Sequence, residues 1–280
     1  MGMSAKILGS SLLSLLAFGA GTALAADVNV ENSDSTSNLL RAVHADDLQL
    51  VDQLLESGAD ITGANEYGAT ALYVAAVNAD AAVTARLLSA DADANTALLS
   101  GETPLMEAAR RGKIEVVRLL LASGADSNSK ESLGGQTALM WAASERHPDV
   151  ATLLIANNAD INVRSTGGST ALMFAAQQGA ADTAQILIDA GADPNERMGR
   201  TALTPLLIAS PMGHGNVVSV LLAEGADPNA VDNDGFTSLH YIAINKDGLG
   251  MVNELLAHGA DPNIRLRQGG QTDFARSGVA

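Results

Sequence analysis

Residues 101–128 read "GETPLMEAARRGKIEVVRLLLASGADSN". Thr103 stands just before Pro104 and an apolar run. A threonine hydroxyl can accept an otherwise unpaired N–H at a helix start, and proline at the first helical position costs no hydrogen bond. Ala108 and Ala109 leave room for a neighbouring helix. "RRGKIE" (110–115) is a short turn, and "VVRLLLASG" (116–124) is an apolar second helix. Its Gly124 suits the left-handed conformation in which a chain leaves a helix. The stretch predicts helix, turn, helix and then an extended loop. Helices of about ten residues do not persist alone, so each must bury its apolar face on a neighbour.

That neighbour is written into the chain. Gly-Ala-Asp begins at Gly58, Gly124, Gly191, Gly225 and Gly259, and the variants Asp91-Ala92-Asp93 and Asn158-Ala159-Asp160 fill the gaps. Asparagine replaces the glycine tolerably; aspartate is the poorer substitute. The unit openings form a second series: Thr70, Thr103, Thr137, Thr170, Thr204, Thr237 and Thr272. Spacings of 33 or 34 dominate both series. A period of this size means stacked supersecondary units. Asp-Pro-Asn at 193–195, 227–229 and 261–263 ends helices, because proline lacks a donor and restricts the residue before it. In the sixth unit, "RMGRTALTP" (197–205) offers two openings, Thr201 and Thr204. The downstream spacing selects Thr204 and makes the preceding loop unusual. Hydrophobic residues are 47% of the chain but aromatics only 3%, so packing rests on small aliphatic side chains.

The quoted stretch closely resembles the ankyrin repeat, whose pattern is G-x-T-P-L-H-x-A-A…G-H…V-V…L-L…G-A-D-x-N. "DGFTSLHYIA" (234–243) keeps the family histidine as His240. Met106, Met140, Met173, Tyr73 and Leu207 replace it elsewhere, exchanging a polar fastening for apolar packing. The resemblance runs from about residue 38 to the end. It implies an all-α ankyrin-repeat solenoid of about seven helix-turn-helix repeats with β-hairpin-like loops. The first pair, "LLRAVHADDLQLVDQLLESGAD" (39–60), lacks the threonine opening and reads as an N-terminal cap. Its polar outer side would be Arg41, Asp46, Asp47, Asp52 and Glu56. "TDFARSGVA" from Thr272 is a partial repeat, which leaves the C-terminal end poorly capped.

Residues 1–25 are a separate object. Lys6 precedes an apolar run to about Ala20, and Ala23-Leu24-Ala25 forms an A-x-A box. This is the layout of a signal peptide, too short to span a bilayer. Cleavage after Ala25 and a periplasmic or secreted location are expected. Residues 26–37, "ADVNVENSDSTS", read as a flexible leader, with 38–280 as the repeat domain. The formal net charge is −16, and without Lys6 the rest carries 15 basic and 32 acidic residues, a net of −17. Such a surface repels phosphate backbones and anionic lipid and favours a partner with a basic surface. Nucleic acid is not expected as a partner, nor membrane after cleavage. The absence of cysteine excludes disulfides, thiolate metal sites and cysteine nucleophiles.

No residues form a catalytic set. His44, His147, His214, His240 and His258 lie in different repeats without metal-ligand spacing, and His147 and His214 occupy equivalent inter-helix turns. The aspartates follow the repeat period as loop and cap residues. "DNDG" (232–235) lacks the rest of a calcium loop and reads as a loop-tip turn. No enzyme activity, cofactor or metal is expected, and the chain is expected to be a monomer. The resemblance implies protein binding through loop tips and the first helices, which line a concave face. By position the candidates are Glu66 and Tyr67; Glu102, Arg110 and Arg111; Gln136, Glu145 and Arg146; Arg164, Gln177 and Gln178; Arg197 and Met212; and Asn233, Asp234, Phe236 and Asn245. Tyr67 and Phe236 stand out, because aromatic residues anchor interfaces. Trp141, in "TALMWAA" (137–143), is expected to be buried between first helices, since the residues at its position elsewhere, Val74, Glu107, Phe174, Ile208 and Tyr241, are mostly apolar. The expected function is a periplasmic interaction scaffold. An accessory or protective factor for an exported, redox-type enzyme and a secreted effector are the alternatives.

Overall fold

The computed structural model describes residues 35–78, 80–199, 201–243 and 248–266. The expected signal peptide, most of the leader and the partial repeat at Thr272 lie outside the described residues. The chain divides into two compact units, one ending at Gly167 and the other beginning at Gly168.

The first unit holds four helix pairs. They are α1 (Ser35–His44) with α2 (Leu48–Glu56), α3 (Ala71–Asn78) with α4 (Ala81–Ser89), α5 (Pro104–Arg110) with α6 (Ile114–Ala122), and α7 (Ala138–Ser144) with α8 (Pro148–Ala156). α1 takes in the last residues of the stretch read as leader. The second unit holds α9 (Ala171–Gln178) with α10 (Ala181–Asp189), α11 (Pro205–Met212) with α12 (Gly215–Ala223), and α13 (Ser238–Ala243) with α14 (Leu249–Ala257). Within each unit, first helices pack on first helices and second on second. The alanine pairs make this approach possible: Ala75, Ala76, Ala108, Ala109, Ala142 and Ala143 are fully buried. Second helices bury one stripe, as in Val116, Val117 and Leu120 of α6. Each such leucine contributes about 1.5–3 kcal/mol by leaving water.

The caps follow the chemistry of the repeat. Thr70, Thr103, Thr137 and Thr204 accept N–H bonds from Tyr73, Met106, Met140 and Leu207 at 3.3–3.4 Å. Thr204 therefore opens α11, and Thr201 stays in the loop, where its carbonyl accepts the Asn233 N–H. The extra residue of that loop places Ala202 at φ 56, a left-handed position that glycine usually holds. Thr170 caps by position only; its hydroxyl makes no capping bond. The helix exits at Gly58, Gly124, Gly191, Gly225 and Gly259 have φ between 78° and 103°, and Asp91 and Asn158 adopt the same conformation at 65° and 64°. "PMGHGN" (211–216), the counterpart of "RRGKIE" and like it expected to be a turn, instead begins inside α11, because Pro211 sits in the last helical turn and is buried.

Two side-chain ladders join the repeats. Asn95 donates to the Gly124 carbonyl at 3.0 Å and accepts the Asp126 N–H at 2.7 Å. Asn128 repeats this on Asn158 and Asp160, and in the second unit Asn195 and Asn229 repeat it on Gly225 and Asp227 and on Gly259 and Asp261. The equivalent histidines form the second ladder. His147 Nε2 donates to the Arg110 carbonyl at 3.1 Å, and His214 Nε2 to that of Gln177 at 2.9 Å.

Candidate functional site

Three of the hairpin loops are shaped by a side-chain acceptor at their first position. Asn65 Oδ1 takes the N–H groups of Tyr67 and Ala69, and Asp232 Oδ1 those of Asp234 and Phe236. Glu131 does more, since its buried carboxylate takes the N–H groups of Leu133, Gly134 and Gln136. Leu98 holds the same position as a buried apolar plug. Adjacent tips of the first unit are tied by backbone bonds, Leu99 to Tyr67, Ser132 to Ser100 and Thr166 to Gly134, at 2.8–3.0 Å. Tyr67, Leu99 and Leu133 are thus displayed on consecutive tips, 49%, 81% and 73% exposed. Leucines at solvent cost solubility and contribute nothing to the core. Sequence periodicity does not mark Leu99 and Leu133, because apolar residues are common nearby; their place at the tip marks them.

Behind the tips lies a charged cluster. Glu107 is buried at 3% exposure. Arg110 grips it with two bonds of 2.9 Å, through Nε and Nη2, and the Arg111 Nε donates to the same carboxylate. The Arg110 guanidinium also lies 5.5 Å from the centre of the Trp141 ring, a cation–π distance. Arg110 and Arg111, expected among the partner-binding residues, are therefore engaged within the protein, although Arg111 stays exposed. Trp141 is only partly buried, in contrast to the expected enclosure. Val74 and Ile208 fit the space between first helices; the indole is larger and takes Arg110 as its cover. Glu102 is half-buried in the groove, with the Tyr73 hydroxyl donating to Oε2 at 3.5 Å. Burial and the nearby Glu107 raise its pKa above the ordinary carboxylate value. Burial and the same two carboxylates push the Tyr73 hydroxyl up as well.

The remaining candidates are scattered. Glu66, Glu145, Arg146 and Arg164 are exposed in the first unit, and Gln136 is partly buried. In the second unit Gln178, Met212, Asn233 and Asp234 are exposed, and Gln177 is partly buried with its carbonyl taken by His214. Arg197 is exposed but donates to the Val231 carbonyl at 2.8 Å. Phe236 is not a free tip residue. It is partly buried, 5.4 Å from the ring of Tyr241 and 5.9 Å from that of His240. The Tyr241 hydroxyl donates to Asp232 at 2.5 Å, so these aromatic groups close the hairpin upon itself. Asn245 lies outside the described residues. No group of three His, Asp or Glu among the described residues is placed to hold a metal ion. No helix among them is long and apolar enough to cross a membrane.

A family model for ankyrin repeats matches residues 79–165, 130–198 and 172–265. The chain belongs to the ankyrin-repeat family. The crystal structure of the human ASB11 ankyrin repeat domain superposes with a TM-score of 0.71 at 23% identity, covering 80% of this chain and 98% of that one. At that identity the likeness shows the fold. No curated protein matches the sequence. Ankyrin repeats indicate a protein–protein interaction scaffold, and this fold is in general non-enzymatic. His240 holds the ankyrin histidine position, its Nδ1 2.7 Å from the Thr237 hydroxyl and 3.2 Å from the Thr237 N–H.

Proposed function

We propose that this ankyrin-repeat chain is an exported scaffold that holds a partner protein against its first unit. The row of exposed apolar tips, Tyr67, Leu99 and Leu133, carries the reading. The tip backbone that carries these side chains is held by bonds between hairpins, so ordering it on binding costs little. The acidic balance of the chain favours a partner with a basic surface. The A-x-A box at residues 23–25 supports export to the periplasm or beyond. Co-purification from periplasmic extract tests the reading, comparing the parent with a Tyr67→Ala, Leu99→Ser, Leu133→Ser triple variant. A partner held by the parent and lost by the variant is expected. Identical partners for both would refute the tip surface, and the absence of any partner would refute the scaffold. Export is checked by N-terminal sequencing, where a start at Ala26 is expected and a start at Met1 contradicts it.

A further inference from the structure

Three features of the first unit meet at one place. Leu99 and Glu102 belong to one hairpin, closed by the Leu98 N–H to the Glu102 carbonyl at 2.9 Å. Leu133 belongs to the next hairpin. The two hairpins touch at Gly101, where an added Cβ would lie 2.9 Å from the Ser132 hydroxyl and 3.3 Å from the Glu131 Cα. Leu99, Glu102 and Leu133 therefore lie on two hairpins in direct contact.

The charges there are unequal in their commitments. Glu107 is ion-paired with both Arg110 and Arg111. Glu131 is saturated by backbone N–H groups. Glu102 has the Tyr73 hydroxyl, at the long distance of 3.5 Å, as its hydrogen-bond partner, and the nearby Arg110 guanidinium acts on it through space while bonded to Glu107. A half-buried carboxylate whose nearest cation is bonded to another carboxylate recovers only part of its desolvation cost. This anion lies on the hairpin that displays Leu99, and the adjoining hairpin displays Leu133, both leucines being exposed.

We propose that this patch docks a segment of a protein partner that carries a lysine or arginine between apolar residues. The cationic head pairs with Glu102 and the flanking side chains cover Leu99 and Leu133. The proposal rests on the scaffold reading and narrows it to one patch and one chemistry. Charge complementarity selects the occupant: phosphate-bearing nucleic acid or anionic lipid would be repelled by Glu102 and by the net charge of −16.

The test is selection of a displayed random-peptide library against the full chain, followed by affinity measurement of the recovered peptides. Peptides with a basic residue among apolar ones are expected. Their binding should weaken about tenfold or more with Glu102→Gln and with Leu99→Ser/Leu133→Ser, and should fall with added salt. Glu102→Gln removes a charge that burial disfavours, so it should fold; thermal unfolding of both variants verifies this. Recovered peptides that lack a basic residue, or that ignore Glu102→Gln, overturn the proposal and leave the scaffold standing. Recovery of no peptide also overturns it, and co-purification then decides separately whether the scaffold reading falls.

Discussion

At the scale of single residues, the two groove glutamates behave oppositely. Glu107 is buried with its charge matched, so its partners matter more than it does. Removing both guanidiniums, with Arg110→Ala/Arg111→Ala, strands a buried carboxylate and should cost about 3–5 kcal/mol in urea unfolding. Glu107→Met leaves two arginines that can turn to solvent, and should cost about 1 kcal/mol or less. Glu102 carries the reverse sign. Its folded pKa is raised above the ordinary 4.5, mainly by burial. The ionised form is therefore disfavoured in the fold, and stability is lost as pH rises above that ordinary value. Glu102→Gln should stabilise the protein at pH 7, by less than about 1 kcal/mol because the group is half-exposed. The gain should vanish below about pH 4 in parallel thermal melts. Of the residues that shape the surface, the sequence makes Tyr67 legible and misplaces Phe236. Both are aromatic residues at a loop. Only the packing on Tyr241 and His240 distinguishes them, and that contact joins different parts of the repeat.

At the scale of elements, the sequence makes the helices almost fully legible. Thr103, Pro104 and Gly124 each solve a local backbone problem, and local problems leave local marks. The joints between repeats are less legible. His147 and His214 are visible as equivalent turns, but their bonds to carbonyls 37 residues earlier depend on stacking. Gly112 illustrates this. It has φ 66, and a Cβ there would lie 2.5 Å from the His147 ring. Gly124, at φ 85, faces open space. Gly124→Ala should cost about 1 kcal/mol for its backbone alone, and Gly112→Ala measurably more in the same unfolding assay. Asn95→Ala removes two bonds to the next repeat, so a loss of about 1–2 kcal/mol is expected. Faster hydrogen exchange at Asp126 would locate that loss. The irregular loop before α11 is half legible: the spacing selects Thr204, whereas the left-handed Ala202 follows from the extra residue and is seen only in the fold.

At the scale of the whole molecule, periodicity makes the architecture legible and leaves the function on the irregular residues. The repeat unit is reinforced in most periods, by caps, alanine pairs and the asparagine ladder. A binding surface is written once, in residues that break the period. Leu99 and Leu133 occur where Thr166 and Asn233 stand in other repeats, and no local rule separates a displayed leucine from a buried one. The division at Gly167 and Gly168 also leaves no mark in the repeat spacing. The central claim is that the first unit holds a protein on its hairpin tips. Hydrogen exchange of the full chain, alone and with its co-purified partner, tests it most directly. The account predicts slowed exchange confined to segments 65–69, 98–102 and 131–136. A bound partner that protects other segments and leaves these unchanged would contradict it.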